Sequence, residues 1–286
     1  MTERFWTAPQ EEPLLRTAGL TSLDAVFTYQ AGQRLNKAGL ADWRQRWRIR
    51  LRDDRTSGGQ RTFYLKRFES PPLGRQLARW REGACRTSTA GVEWRNAQRL
   101  HQAGVACARP TAFGQEMCGP LEKRSFILLD EMAGCSLERW LPEHVTPPEQ
   151  ATNRPARRAL IDELARFVGR FHAAGFVHRD LYLSHVFLTD ADEGFPALGG
   201  RDDNVFALID LQRVFQPRWR CRRWIVKDLA ALDYSTPADR VSRPERLRFL
   251  CRYVRVCSRV GAARKLARQI AARTRRMTRR LGPVAG

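Results

Sequence analysis

Apolar residues recur along this chain at two periods, and the changes of period mark its elements. Thr62–Phe68 alternates aromatic or aliphatic with polar residues, as a strand does, and places Lys66 near the strand end. Gly91–Leu100 carries Trp94, Ala97 and Leu100 at helical spacing, with Glu93 expected in the first turn, where a carboxylate suits the helix dipole. Phe126–Leu129 is an unbroken apolar run of the kind found in buried strands, and it ends in an acidic turn, Asp130-Glu131-Met132. Ser136–Leu141 reads as a short helix behind a serine cap. The clearest helix is Arg158–Ala174: Leu160, Ile161, Leu164, Phe167, Val168 and Phe171 form one face, and Gly175 stops it.

A strand-rich first part and a helical second part predict an α+β fold with two lobes. The expected boundaries are 1–131 for the strand-rich lobe, 132–258 for the helical lobe and 259–286 for a basic tail. A chain of 286 residues with 43% hydrophobic content can bury a sizeable core. Pro142–Pro155 reads as a surface loop inside the second lobe, and Thr189–Asn204 as a polar hairpin or flap. Apolar runs such as Phe126–Leu129 fall far short of the roughly 20 residues a membrane span needs. Met1–Trp6 is followed by no apolar core of a signal peptide. Seven cysteines without a C-x-x-C pair predict free thiols in a reducing compartment rather than a disulfide frame or zinc site.

Two short acidic motifs sit inside these apolar patterns. His178-Arg179-Asp180 follows Phe176-Val177, with His185 five residues further on; Ile209-Asp210-Leu211 follows Phe206-Ala207-Leu208. Each reads as a carboxylate at the end of a buried strand. Phosphoryl transfer needs that pairing, because one carboxylate orients the attacking hydroxyl and another holds Mg²⁺ against the nucleotide phosphates. Each motif alone has a plain alternative. Lys66 could be an ordinary exposed strand lysine, Glu93 an ordinary helix-start acid, and Asp130 and Glu131 solvated turn residues. Strand lysine, helix glutamate, linker strand, long helix and acidic loop nevertheless follow in the order a kinase uses.

The residues Tyr64–Arg67, Glu93–Asn96, His178–His185, Leu208–Arg213 and Arg223–Leu232 together resemble the lipopolysaccharide core kinase family, the heptose and Kdo kinases of the WaaP group. The resemblance covers roughly residues 35 to 255. Protein kinases put Asn five residues after the catalytic Asp; this family tends to carry His, here His185. Leu-Gln-Arg after Asp210, in place of Phe-Gly, also suits it.

The resemblance implies a protein-kinase-like fold with ATP between the lobes. It implies that Asp180 orients or deprotonates a sugar hydroxyl and that Asp210 binds Mg²⁺. His185 would be a second metal ligand or would bond to Asp180 or Asp210, since imidazole is a poorer Mg²⁺ ligand than oxygen. Lys66 and Glu93 would form the phosphate-orienting pair, and the Asp130-Glu131-Met132 segment would meet the adenine through its backbone. His178 and Arg179 would brace the loop. Asp228, read as opening an apolar helix, would anchor the loop backbone or serve as a helix-start carboxylate. One departure stands out. The phosphate loop expected between about residues 32 and 48 offers only Gly32 and Gly39, with Gly39 as its tip and Lys37 supplying charge.

Charge bears on partners. Lys and Arg number 51 against 30 acids, a net charge of +21, and from Arg240 to the end Glu245 is the only acid among fifteen basic residues. Arg264–Leu281 sets Leu266, Ile270, Met277 and Leu281 on one stripe, a basic amphipathic helix suited to an anionic membrane surface. An Arg-rich genome would give the same excess. Nucleic acid is the weaker partner, because no zinc finger, RNA-binding signature or repeat accompanies the charge. Only seventeen residues separate Asp210 from Asp228, which leaves little room for a peptide platform and favours a glycan or small-molecule acceptor. The expected activity is therefore ATP-dependent phosphorylation of an inner-core sugar at the cytoplasmic face of the inner membrane. A small-metabolite or aminoglycoside-type phosphotransferase, a protein kinase and a non-catalytic nucleotide-binding pseudokinase are the rivals. The oligomeric state is not legible.

Overall fold

The computed structural model describes residues 2–35, 41–53, 55–56, 58–150, 153–189 and 205–282. Its contacts divide the chain into two units, Met1–Arg99 with Ala108–Glu131 and Leu100–Cys107 with Met132–Gly286.

The first unit is a six-stranded antiparallel sheet with short helices. In chain order its elements are β1 (Thr2–Thr7), α1 (Glu12–Thr17), α2 (Leu23–Thr28), β2 (Gln33–Arg34), β3 (Arg44–Arg52), β4 (Gln60–Glu69), α3 (Leu73–Arg81), α4 (Thr89–Gln102), β5 (Pro110–Cys118) and β6 (Leu121–Asp130). The strand order is β1-β5-β6-β4-β3-β2. Strand periodicity decides what each face carries. Phe63 and Leu65 of β4 join Leu14, Leu15, Leu20, Leu23 and Val26 in the core beneath α1 and α2. Arg67 shares that face and donates to the carbonyls of Val26 and Tyr29. Its guanidinium lies 5.3 Å from the Trp47 ring centre, and burial pulls its pKa down to about 10. Lys66 lies between these residues and so belongs to the other face.

The helix α4 starts earlier than its apolar spacing suggests. Ser88 Oγ accepts from the Gly91 amide at 3.0 Å, and Glu122 accepts from the Thr89 amide at 2.8 Å. Those two acceptors satisfy first-turn donors that would otherwise be orphaned. Glu93 consequently sits beyond the first turn, and the helix dipole does not account for it.

The second unit contains β7 (Cys135–Ser136), α5 (Leu137–His144), α6 (Arg154–Ala173), β8 (Val186–Leu188), β9 (Phe206–Leu208), α7 (Cys221–Ser235), α8 (Arg243–Val256) and α9 (Ala263–Leu281). Asn153 caps α6 by accepting from the Ala156 amide at 3.3 Å, and Pro155 falls in its first turn, where proline needs no donor. The helices α6 and α8 approach closely at Gly169, where an added Cβ would lie 2.8 Å from Val256 Cβ. β8 and β9 pair as an antiparallel hairpin; the flap between them, residues 190–204, lies outside the described residues.

α7 begins at Cys221, so Asp228 lies deep in the helix rather than at its start. α9 carries the expected basic stripe, but its apolar stripe turns partly inward. Leu266 is fully buried, and Ile270 lines an apolar cavity of about 420 Å³ with Leu137, Leu160, Leu229 and Phe249. Among the described residues no helix is long and apolar enough to cross a membrane. All seven cysteines are free thiols.

Candidate active site

In the first unit, β4 and α4 bring Lys66 and Glu93 together. Lys66 Nζ lies 2.6 Å from Glu93 Oε1, with Lys66 8% and Glu93 1% exposed. Such a pair holds an ammonium at a fixed point instead of letting it sample solvent, which is what phosphate positioning requires. Removing either partner of a buried ion pair is strongly destabilising.

The end of β6 is fixed by neighbouring arginines. Arg61 bonds Asp130 at 2.7 Å, and Glu131 accepts from Arg48 at 3.0 Å and from the Tyr64 hydroxyl at 3.1 Å. Their amides are also committed, Asp130 to the Arg109 carbonyl and Glu131 to that of Thr62, each at 3.0 Å. The amides of Asp130 and Glu131 are thus not open to a ligand. Lys37 and Gly39, expected to hold phosphate, lie outside the described residues.

In the second unit, the loop 178–185 is held from below by Asp228. That carboxylate is fully buried and accepts from the His178 amide at 2.6 Å and the Arg179 amide at 2.7 Å. His172 Nε2 donates to it at 3.3 Å, while Nδ1 of the same ring accepts from the Tyr253 hydroxyl at 2.9 Å. Three donors on one buried carboxylate fix the loop backbone, and Asp228 acts through that backbone rather than on a substrate. Arg179 takes a left-handed φ of 72°, and its guanidinium lies over Phe215 and Trp224. His178 donates from Nε2 to the Ile209 carbonyl at 3.0 Å and buries Nδ1 without a partner. Burial pushes its pKa down, so the ring is neutral and stitches the loop to the backbone just before Asp210.

Asp180 and Asp210 flank His185. His185 Nδ1 donates to the Asp180 carbonyl at 2.7 Å, and Nε2 lies 3.8 Å from Asp210 Oδ2. In its neutral form this ring would turn a lone pair toward the carboxylate, and the two could hold a divalent cation. Among the described residues no three His, Cys, Asp or Glu side chains gather as a protein-only metal cage. Two ligands suit Mg²⁺, which keeps water and phosphate oxygens in its shell. Asp210 holds a left-handed φ of 58°, a strained backbone tolerated where a carboxylate must be aimed.

Sequence reasoning missed the cations beside Asp180. Arg213 Nη1 lies 2.9 and 2.6 Å from its two oxygens, and Lys227 Nζ lies 3.8 Å from Oδ1. Burial, with Arg213 and Arg179 nearby, pulls the Lys227 pKa down against the opposing pull of Asp180. Arg213 stands among so many basic residues that no local pattern marks it. Lys227 is recognisable only from its place on α7, one residue before Asp228.

The family model for the lipopolysaccharide kinase (Kdo/WaaP) family matches residues 39–253. A lipopolysaccharide core heptose(I) kinase, WaaP, of Pseudomonas aeruginosa is 38% identical over 170 residues, 58% of this chain and 59% of the relative. The Escherichia coli protein of the same name is 35% identical over 149 residues, 51% of this chain and 53% of its own. The matched segments thus span little more than half the length of these curated relatives. A solved structure of WaaP in complex with acyl carrier protein superposes with a TM-score of 0.66 at 28% identity, covering 97% of both chains. A match over residues 39–253 takes in Lys66, Glu93, the loop 178–185, Asp210 and Asp228, and the chain belongs to the lipopolysaccharide kinase (Kdo/WaaP) family.

Proposed function

We propose that this chain is an ATP-dependent kinase that phosphorylates a sugar hydroxyl, a heptose or Kdo, of the lipopolysaccharide inner core. The observation that carries the reading is the single imidazole joining the two acidic motifs, His185 bonded to the Asp180 carbonyl and facing Asp210. Asp180 orients the acceptor hydroxyl, which must share or displace the Arg213 contact to reach a carboxylate oxygen. Lys66, braced by Glu93, positions the α- and β-phosphates. The Met132 amide and the adjoining carbonyls meet the adenine. Asp210 and His185 would hold Mg²⁺, which would supply charge neutralisation of the phosphates. Catalysis on this account is positioning and electrostatics, with no covalent enzyme intermediate.

Two partners follow. An anionic membrane surface at the cytoplasmic face would meet the basic side of α9. Because Leu266 and Ile270 of that helix face the protein, this contact is electrostatic rather than inserted. Acyl carrier protein is the second, supported by the complex of the structural relative and by the basic side of α9, which complements an acidic protein. The apolar cavity lined by Leu160, Leu229 and Ile270 has the polarity an acyl chain would need.

The test is incubation with γ-labelled ATP, Mg²⁺ and dephosphorylated core glycolipid, followed by mass spectrometry. A glycolipid product heavier by one phosphate supports the reading. Labelling of a generic protein substrate instead would favour the protein-kinase rival.

A further inference from the structure

The N-terminal half of α7 and the middle of α9 enclose an open groove of about 580 Å³. Arg220, Arg222, Arg223, Arg273 and Arg276 line it, with Gln269. No acid lines it. Arg222 Nε donates to Gln269 at 3.1 Å, but Arg222 Nη2 is buried without a hydrogen-bond partner, and so is Arg273 Nε.

Several part-buried arginines elsewhere in the same unit are paired: Arg157 with Glu245, Arg246 with Asp233, Arg248 and Arg252 with Asp162. Among the described residues none of the five groove arginines forms a salt bridge. Five guanidinium groups converging without a carboxylate repel one another, and two of them each leave one buried nitrogen without a hydrogen bond. Such an arrangement is offset by an anion that the groove receives. The N-terminus of α7, where the helix dipole favours negative charge, opens into the same place.

The groove adjoins the catalytic loop. Arg223 stands one helical turn before Lys227, whose ammonium lies 3.8 Å from Asp180. The charge of Arg273 also acts on Tyr182, two residues after Asp180. An acceptor whose hydroxyl reaches Asp180 would thus extend its neighbouring substituents toward this end of α7. Trp219, 82% exposed on the loop leading into α7, adds an amphipathic side chain suited to a lipid–water boundary.

We propose that this groove is a polyanion subsite, which holds phosphate or carboxylate groups of the acceptor glycolipid while Asp180 meets its hydroxyl. The proposal rests on the acceptor reading above. It makes the substrate a glycolipid bearing at least two negative charges beside the sugar that is phosphorylated.

The test uses the full chain and two double variants, Arg222→Gln/Arg273→Gln and Arg223→Gln/Arg276→Gln. The second pair is solvent-exposed, so its loss leaves packing intact. Binding is measured with diphosphoryl lipid A in neutral detergent micelles, with its monophosphoryl form, and with inorganic pyrophosphate; KM is then measured for the core glycolipid and for ATP. Expected is binding of the diphosphoryl form about ten-fold tighter than of the monophosphoryl form or pyrophosphate. Both variants lose that preference, and their KM for glycolipid rises about ten-fold or more while KM for ATP moves less than about two-fold. Equal binding of all three probes by the wild type, or variants that bind the diphosphoryl form as the wild type does, overturns the subsite. Tighter binding of pyrophosphate than of diphosphoryl lipid A would make it a free-phosphate site and overturn the acceptor assignment. If the wild type binds diphosphoryl lipid A selectively but phosphorylates no glycolipid, the kinase reading fails and the groove stands.

Discussion

Arg213 bonds both carboxylate oxygens of Asp180 through one nitrogen, at 2.9 and 2.6 Å. The residue placed to receive an acceptor hydroxyl is thus held by a half-exposed cation from the segment after Asp210. A guanidinium there fixes the carboxylate rotamer, and small misplacements of such a group are costly in rate. Arg213→Ala is expected to lower kcat about ten-fold with little change in KM for ATP, and Arg213→Lys to recover part of the loss. Steady-state kinetics on the glycolipid checks both.

The buried Lys66–Glu93 pair separates stability from activity. Lys66→Met removes the ammonium 2.6 Å from the buried Glu93 carboxylate, and Glu93→Leu removes that carboxylate from the buried ammonium. Each single variant should lose about 3–5 kcal/mol of stability. The double variant should recover most of that loss, because no uncompensated charge remains, yet stay without phosphoryl transfer. Urea denaturation and kinetics on the four proteins complete the cycle.

Asp228 holds the catalytic loop through two backbone amides and His172. Asp228→Ala orphans all three donors inside the protein, at about 1–3 kcal/mol each before relaxation. The expectation is a marked fall in thermal midpoint together with lost turnover. Asp228→Asn keeps one acceptor oxygen and should fall between. Differential scanning calorimetry and glycolipid kinetics give the two readouts.

His178 makes stability depend on pH. Its ring is buried and neutral, with its pKa lowered below the ordinary histidine value near 6.5. The unfolded chain takes up a proton near pH 6.5 and the folded chain does not. Below that pH the unfolded state binds more protons, so stability falls as pH drops, by up to about 1.4 kcal/mol per pH unit from this group. Chemical denaturation between pH 7 and 5 should show a steeper loss for the wild type than for His178→Gln.

Much of this fold could be read from the pattern of side chains, and what escaped has identifiable causes. β4 and α6 were legible because alternation and helical spacing run unbroken through them. Their ends were less so: α6 starts at Arg154 because Pro155 is harmless in a first turn, whereas the apolar face begins only later. β3 alternates Trp47, Ile49 and Leu51 with arginines throughout Arg44–Arg52, a full strand signal overlooked in a stretch expected to be a phosphate loop. α8 hides its buried Leu250 and Tyr253 among arginines, although Ser242 and Glu245 form a capping box ahead of it. Glu93 and Asp228 each allow two readings in the sequence, a helix-start carboxylate or, by resemblance, the partner of Lys66 and the anchor of the loop; both lie beyond the first turn, and a charge's partner is set by tertiary packing, which spacing along the chain does not encode. The same holds for Arg213, Lys227 and the arginine groove, whose meaning lies in which cations have a carboxylate and which do not.

The most direct test compares glycolipid phosphorylation by the wild type, Asp180→Ala and Asp210→Asn, with Mg-ATP affinity measured in parallel. The account predicts one phosphate added per acceptor by the wild type. Asp180→Ala should slow turnover by about 10³-fold or more while Mg-ATP binds within about two-fold of normal. Asp210→Asn should lose the Mg²⁺-dependent part of nucleotide affinity. Undiminished phosphoryl transfer by Asp180→Ala would contradict the account.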